Sequence, residues 1–532
     1  MTAAKPPKPA KKPAAAKAKA ADGPPQLTHA EIRAIVIGIM LALFLGALEQ
    51  TIVATALPTI GRAFNDVANL SWVVTAYLLT ATASTPLYGK LADIYGRRAV
   101  LLTGIVIFIL GSLACALATN MTMLILARGL QGLGGGGLMS LTQTIIADFV
   151  APKERGRYQG YIGAVFASSS LGGPVLGGFL TEHFHWSLIF WINLPLGLAA
   201  LVMTNAVLRR VPFQPRKHAL DLVGALLMMA AAIALLLALT WGGTRYPWLS
   251  LPVGLLFLGS ATLWGLFAWR LLAAKEPFLP LTILANPVVR CATLAGTCGM
   301  GTLVGLTIFI PLYFEVIMHL SASQSGLALI PLMGATVTAS TLTGRAMSRM
   351  ENYKVIAIGG ALLSMSGLSA LAIWPHPPIA VAAALLSVIG FGIGCIFPVT
   401  TVSMQNAAPR HLMGVATGAM NFCRSLGAAL IVAIFGAIVL GGIGGPTGVS
   451  VEALARTASE ADLTHAFRFV FLAAALVLAF GLAFLIGMEQ KPLRGPAVAQ
   501  PPQPEAAATP VQEPIEEDRP RKQKKDGSSR KS

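Results

Sequence analysis

Glu49 is a carboxylate inside an apolar stretch, in Ala47-Leu48-Glu49-Gln50-Thr51. Arg128 is a guanidinium inside another, in Ala127-Arg128-Gly129-Leu130-Gln131. Burial favours the neutral form of a carboxyl group, and a nearby guanidinium favours the charged form. A motion that changes either influence lets such a carboxylate bind and release a proton, and a cationic molecule can compete for it. Arg128 and Gln131 share a helical face, one turn apart. Two readings of the pair stand at this stage: coupling of a proton or a substrate, or a structural ion pair that locks two helices. Gln50, Thr51 and Gln131 are the polar neighbours that would border a cavity beside them.

Two further ionisable groups lie in apolar surroundings. Glu315, in Pro311-Leu312-Tyr313-Phe314-Glu315, reads either as a vestibule acid that attracts cations or as an interface residue beside aromatic rings. Arg424 has no acid at matching depth, so it needs a water-filled cavity or a capped structural setting. Other chemistry is poorly represented. The five cysteines, Cys115, Cys291, Cys298, Cys395 and Cys423, include no CxxC and predict neither disulfide nor metal use. His183 and His185 come nearest to a metal pair and read better as loop residues. No nucleophile–base pair and no G-x-x-x-x-G-K-[ST] phosphate loop is present, so an enzyme is the least favoured class and no cofactor is expected.

These residues need elements to hold them, and composition says which. Of 532 residues, 55% are apolar and only 11% charged, with a mean hydropathy of +0.70. Soluble domains carry about 25% charged residues, so an all-α polytopic membrane protein is predicted. A spanning helix needs roughly 20 apolar residues. Fourteen stretches qualify, the first from residue 34 to 57 and the last from 465 to 488. The first follows a polar arm and is too long for a cleaved leader, so it reads as an anchor that stays.

The net charge of +17 is distributed as membrane topology requires. Seven Lys and Arg lie in residues 1–33 and nine beyond 489. With both termini cytoplasmic, the inner loops between spans carry 17 and the outer ones four: Arg62, Arg245, Arg456 and Arg468. The Pro- and Lys-rich tails, 1–33 and 489–532, have no hydrophobic period and read as disordered, apt to meet anionic lipid and not nucleic acid. A shift of 255 residues places Gly89-Lys90 on Gly344-Arg345 and Ser170-Leu171-Gly172 on Ser425-Leu426-Gly427. Two six-helix bundles follow, 34–208 and 291–488, with cytoplasmic linkers and two inserted helices in 209–290. Secondary transporters are commonly built from such repeats, with the substrate site between them.

The depths of the two central charges also match. Glu49 lies roughly 12 Å from the outer end of its span and Arg128 roughly 9 Å, at 1.5 Å per residue. The loop after the second span reads Gly89-Lys90-Leu91-Ala92-Asp93-Ile94-Tyr95-Gly96-Arg97-Arg98. Asp93 is a lone acid among bases, and a helix N-terminus would suit it. The glycines from Gly132 to Gly137 predict close helix packing. Gly173-Pro174 frees a backbone carbonyl in its span and can bend it.

The Gly89–Arg98 loop resembles the signature loop of the major facilitator superfamily. Arg128-Gly129-Leu130-Gln131-Gly132 agrees, and Gly173-Pro174-Val175-Leu176-Gly177-Gly178 is similar to the family's antiporter motif. Leu48-Glu49-Gln50-Thr51-Ile52-Val53-Ala54-Thr55-Ala56-Leu57-Pro58, with fourteen spans, resembles the drug:proton antiporters of the EmrB/QacA type. The resemblance covers residues 34–488. Two departures stand out: Glu49 replaces the usual aspartate, and the second-half echo, Gly344 to Arg349, lacks the acid.

The resemblance implies the major facilitator fold and a multi-pass exporter of the cytoplasmic membrane. It would be driven by the proton gradient and act on amphipathic, often cationic, small molecules. Glu49 would couple protons with Arg128 as modulator. Gly89, Asp93, Gly96, Arg97 and Arg98 would form a conformational latch. Gly173, Pro174, Gly177 and Gly178 would shape the cavity and resist proton leak, against a reading as packing alone. The cavity is expected between the halves, lined mainly by spans 1, 4, 5, 9 and 13, with Glu315 and Arg424 as further candidates. Similar proteins also work with a periplasmic adaptor and an outer-membrane duct; no residue here indicates one. Rival readings are a dedicated exporter of one metabolite, siderophore or amino acid, and a non-transporting membrane sensor or assembly factor.

Overall fold

In lipid every backbone N–H and C=O must be paired within its own segment, and a chain this apolar meets that demand by forming helices. The computed structural model describes residues 29–66, 69–209, 220–443 and 459–493, and these are helical almost throughout. The expected tails lie mostly outside the described residues. So do Arg210, Arg216, Lys217 and Arg456.

In chain order the helices are α1 His29–Phe64, α2 Leu70–Tyr95, α3 Arg97–Ala116, α4 Met121–Phe149, α5 Pro152–His183, α6 Leu188–Trp191, α7 Asn193–Leu208, α8 Leu222–Trp241 and α9 Leu251–Ala273. They continue with α10 Leu281–Ala285, α11 Pro287–Val316, α12 Ala322–Leu327, α13 Leu329–Met347, α14 Lys354–Ile373, α15 Ile379–Ala407, α16 Met413–Ile443 and α17 Glu460–Gly487. Side-chain caps start several of them. Asn120 accepts from Met123 N at 2.8 Å and Asn286 from Val288 N at 3.0 Å.

Twelve of these segments are long and apolar enough to cross a membrane, against the fourteen expected. α6–α7 and α12–α13 each count as one. The two long helices outside that set are α2 and α4, of 26 and 29 residues. Threonine, serine and tyrosine in α2, and glycine in α4, take places that leucine and valine hold elsewhere.

Packing repeats along the chain. α1 packs on α5 and α7, α2 on α4, and α3 on α4 and α7. α11 packs in the same way on α16 and α17, α13 on α15, and α14 on α15 and α17. The two sets meet through α2 with α16 and α5 with α13. Between them in sequence, α8 and α9 form a hairpin, tied by Arg270 to Asp221 at 3.1 Å, and α8 also packs on α2 and α16. α9 leaves Leu255, Leu258, Leu266, Trp269 and Leu272 exposed, a face suited to lipid.

The first set has two apolar clusters. One gathers Ile39, Leu43, Phe108 and Leu141; the other gathers Ile52, Val53, Leu124 and Phe190. Glu49 and Arg128 lie between the stretches of α1 and α4 that supply them.

Candidate functional site

Six helices converge on the buried charges. Glu49 of α1 is fully buried, and so is its ion-pair partner Arg128 of α4. The Arg128 Nη1 also donates to Gln131 Oε1, and its Nε donates to the Val73 carbonyl of α2 at 2.9 Å. Asn193, the first residue of α7, donates to the second carboxylate oxygen of Glu49. Ser112 of α3 accepts from Gln131 at 2.7 Å and from Asn193 at 3.4 Å. The Tyr77 ring lies 4.5 Å from the guanidinium carbon and the Phe190 ring 5.7 Å from it. Breaking a buried, hydrogen-bonded pair of this kind costs about 3–5 kcal/mol, because it strands the remaining charge.

Glycine makes the convergence close. A Cβ on Gly132 would strike the Tyr77 backbone, and one on Gly134 would strike Phe108 N and the Gly104 carbonyl. The Gly132–Gly137 run therefore lets α2 and α3 approach the α4 backbone. α1 meets α5 in the same manner. Gly173 faces Thr51 and Gly177 faces Thr55, with no room for a side chain on either glycine. Thr51 Oγ1 donates to the Ser169 carbonyl at 2.8 Å. Gly178 has open space instead. Pro174 sits inside a helix that continues to His183.

A second constellation lies at the basic end of the helices. Asp93 accepts from Gly414 N at 3.1 Å and Val415 N at 2.9 Å, in the first turn of α16. Arg97 pairs with Asp93 and also with Asp148 at 2.8 Å. Gly96 turns the chain between them at φ +95°, a conformation that favours glycine. Gly89 meets Gly414 backbone to backbone, and a Cβ on Gly89 would collide with the Gly414 carbonyl. On the other side Gly344 meets Gly156 as closely. Arg98 stands apart from this group. It donates to Asn205 Oδ1 at 2.7 Å, within its own half, so its contacts do not span the two halves.

A cavity of about 520 Å³ opens between the two sets of helices. α2, α11 and α16 supply most of its wall, with Gln50 of α1, Gly135, Gly136 and Met139 of α4, and Leu236, Leu239 and Thr240 of α8. This corrects the expected lining. α5 contributes none of the lining residues, because it is spent on its crossings with α1 and α13, while the inserted α8 supplies a wall instead. Of the candidate cavity residues, Gln50 lines it. Thr51 turns to α5, Gln131 lies within the charge network, and Glu315 is half-buried and off the lining. Arg424 is buried off the lining too. It donates to Thr400 at 2.9 Å and Thr401 at 3.1 Å, with the Phe397 ring 5.9 Å away.

Sequence reasoning missed Asn193 and Ser112, which complete the charge network, and the amides Gln143 and Asn421, which pair across the halves at 3.1 Å. A lone asparagine before Leu194-Pro195 was the available signal for Asn193.

Paired six-helix sets, an internal charge network and a cavity between the sets define a membrane transporter fold. The sequence profile of the Major Facilitator Superfamily matches residues 39–432, and the chain belongs to that family. An uncharacterised MFS-type transporter of Mycobacterium tuberculosis is 36% identical over 76% of this chain. That match spans 58% of the mycobacterial protein's length. The multidrug transporter protein MdtP of Bacillus subtilis is 33% identical over 76% of this chain and 75% of its own. A bacterial homologue of the iron transporter ferroportin, solved in an outward-facing state, superposes with a TM-score of 0.60 at 13% identity. It covers 87% of this chain and all of that one, a likeness of fold.

Proposed function

We propose that this protein is a proton-driven antiporter of the fourteen-helix type that exports amphipathic small molecules across the cytoplasmic membrane by alternating access. In this reading α2 and α4 cross as well, their polar faces turned to neighbouring helices and the cavity. Both termini and the basic end of the helices are cytoplasmic. The halves 34–208 and 291–488 rock about the cavity. Similarity to a protein named as a multidrug transporter supports the substrate breadth.

One observation carries the reading. Glu49 is sealed against Arg128 and Asn193, while the next residue, Gln50, lines the cavity. A substrate therefore does not compete for the carboxylate by touching it. It acts on α1. The same helix crosses α5 at Thr51 and Gly173, and α5 crosses α13 of the other half at Gly156 and Gly344. Rocking at the inter-half crossing thus displaces the helix that holds the carboxylate, which changes its hydration and its distance from Arg128. Both govern proton affinity.

Closure of the basic end by Gly89–Gly414 and Gly156–Gly344 fits the state open to the outside, where the carboxylate would take up a proton. Asp93 at the N-terminus of α16 would favour that state by about 0.3–1 kcal/mol, rising to about 2 when partly buried. The gradient supplies about 1.4 kcal/mol per pH unit and about 2.3 kcal/mol per charge per 100 mV. Drug-induced proton flux in everted vesicles tests the proposal, with Glu49→Gln as the diagnostic variant.

A further inference from the structure

The cavity is mainly apolar, with few polar groups. Leu78, Leu79, Met139, Met300, Phe309 and Trp248 make much of the wall apolar. Its polar lining is threonine, serine and amide, and among the described lining residues there is no Asp, Glu, Lys, Arg or His. A charged ligand would lose its water there without gaining a counter-charge, which is costly. The charges nearby do not help a cation. Glu49 is neutralised by Arg128 behind Gln50. Arg424, on the helix turn that follows Asn421, is held by threonine hydroxyls and a ring, and among the described residues no carboxylate pairs with it. The uncompensated charge beside the cavity is positive.

Around the lining residue Asn421, three buried amides meet from both halves: Gln143 of α4, Gln405 of α15 and Asn421 of α16, at 2%, 2% and 4% exposure. Asn421 Nδ2 donates to Gln143 Oε1 at 3.1 Å, and Gln405 Nε2 donates to the Gln143 carbonyl at 3.4 Å. These bonds leave Asn421 Oδ1 and Gln405 Oε1 buried with no hydrogen-bond partner. Asn421 itself lines the cavity. A buried acceptor without a partner costs about 1–3 kcal/mol, and of these two the one on Asn421 belongs to a residue that lines the cavity and can turn to a donor held there.

We infer that the cavity takes an uncharged, largely apolar molecule bearing an N–H or O–H donor, and that Asn421, braced by Gln143 and Gln405, receives that donor. The inference rests on the cavity being the site of the transported molecule, and it replaces the expected preference for cations. The cavity's volume falls within the roughly 300–1,000 Å³ of small-molecule sites. A site built to hydrogen-bond a substrate group discriminates strongly against the analogue that lacks it, because its own polar atoms are then left unpaired.

The test uses the full chain, purified into nanodiscs, and three probes: acridone, which is neutral with one N–H; N-methylacridone, which lacks it; and the cation tetraphenylphosphonium. Acridone should bind at least about tenfold more tightly than either of the others. In Asn421→Leu the ratio between the two acridones should fall below about threefold, and Gln405→Leu should lower it in the same direction. The wild-type comparison decides without any variant should a variant fail to fold. Equal binding of the two acridones, binding of neither, tighter binding of the cation, or a ratio unchanged in Asn421→Leu each overturns the inference. Binding needs no gradient. Selective binding without ligand-driven proton flux would instead contradict the antiport reading and leave the binding site standing.

Discussion

The carboxylate of Asp93 caps the first turn of α16 by accepting from the N–H of Val415 at 2.9 Å, across 322 positions of chain. An acid on one half thereby holds a helix N-terminus on the other. The equivalent place in the second half has no acid: Gly344-Arg345-Ala346-Met347-Ser348-Arg349 offers Ser348, whose hydroxyl donates to the Arg345 carbonyl. The two inter-half crossings share a backbone geometry, and only one carries this charge.

Asp93→Asn should therefore loosen the basic end on the α2 side. Spin labels at Tyr95 and His411, both exposed, should report one short distance in the wild-type protein. A second, longer population should appear in the variant. The helix-terminus contribution of about 0.3–2 kcal/mol predicts a shift of roughly two- to thirtyfold in the ratio of states.

The Gly156–Gly344 crossing should tolerate no side chain. Gly344→Ala places a Cβ against the Gly156 carbonyl, and overpacking of this kind costs about 1–3 kcal/mol. Transport should fall while expression and folding persist. Gly334→Ala on the same helix has open space around it and should leave transport unchanged, measured side by side in vesicles.

Much of this was legible in the sequence because helices have a constant rise. Glu49 and Arg128 could be matched by depth alone, and a lone acid in a basic loop pointed Asp93 toward a helix N-terminus. The pairing of helices across the halves was not legible. Gln143 and Asn421 lie 278 positions apart, and nothing in either helix marks its partner. The same limit hid the roles of α5 and α8. A glycine-rich helix can face a cavity or another backbone, and Gly173 and Gly177 face a backbone. Hydropathy separates lipid from water, and α2 and α4 fall below the others on it because their threonines, serines and glycines face other helices and the cavity.

Thermal unfolding should expose the coupling between the buried charges. Arg128→Leu leaves Glu49 without its guanidinium and should destabilise the protein by about 3–5 kcal/mol. Glu49→Gln combined with Arg128→Leu removes both charges and should be less destabilised than Arg128→Leu alone. Equal losses in the two would mean that packing at position 128 matters and the pair does not.

A neutral substrate gives export an electrical signature. Exchange of one proton inward for one uncharged molecule outward moves net charge, so voltage and pH gradient both drive it. Collapsing the membrane potential with valinomycin and potassium should slow acridone export at constant pH gradient. A rate that ignores the potential would indicate electroneutral exchange.

The central claim is that the Glu49 carboxyl carries the coupled proton. In everted vesicles with a pH-sensitive dye, acridone should induce proton flux through the wild-type protein. Glu49→Gln should abolish that flux while acridone still binds the purified variant. Undiminished acridone-induced flux in Glu49→Gln, at matched expression, would contradict the account.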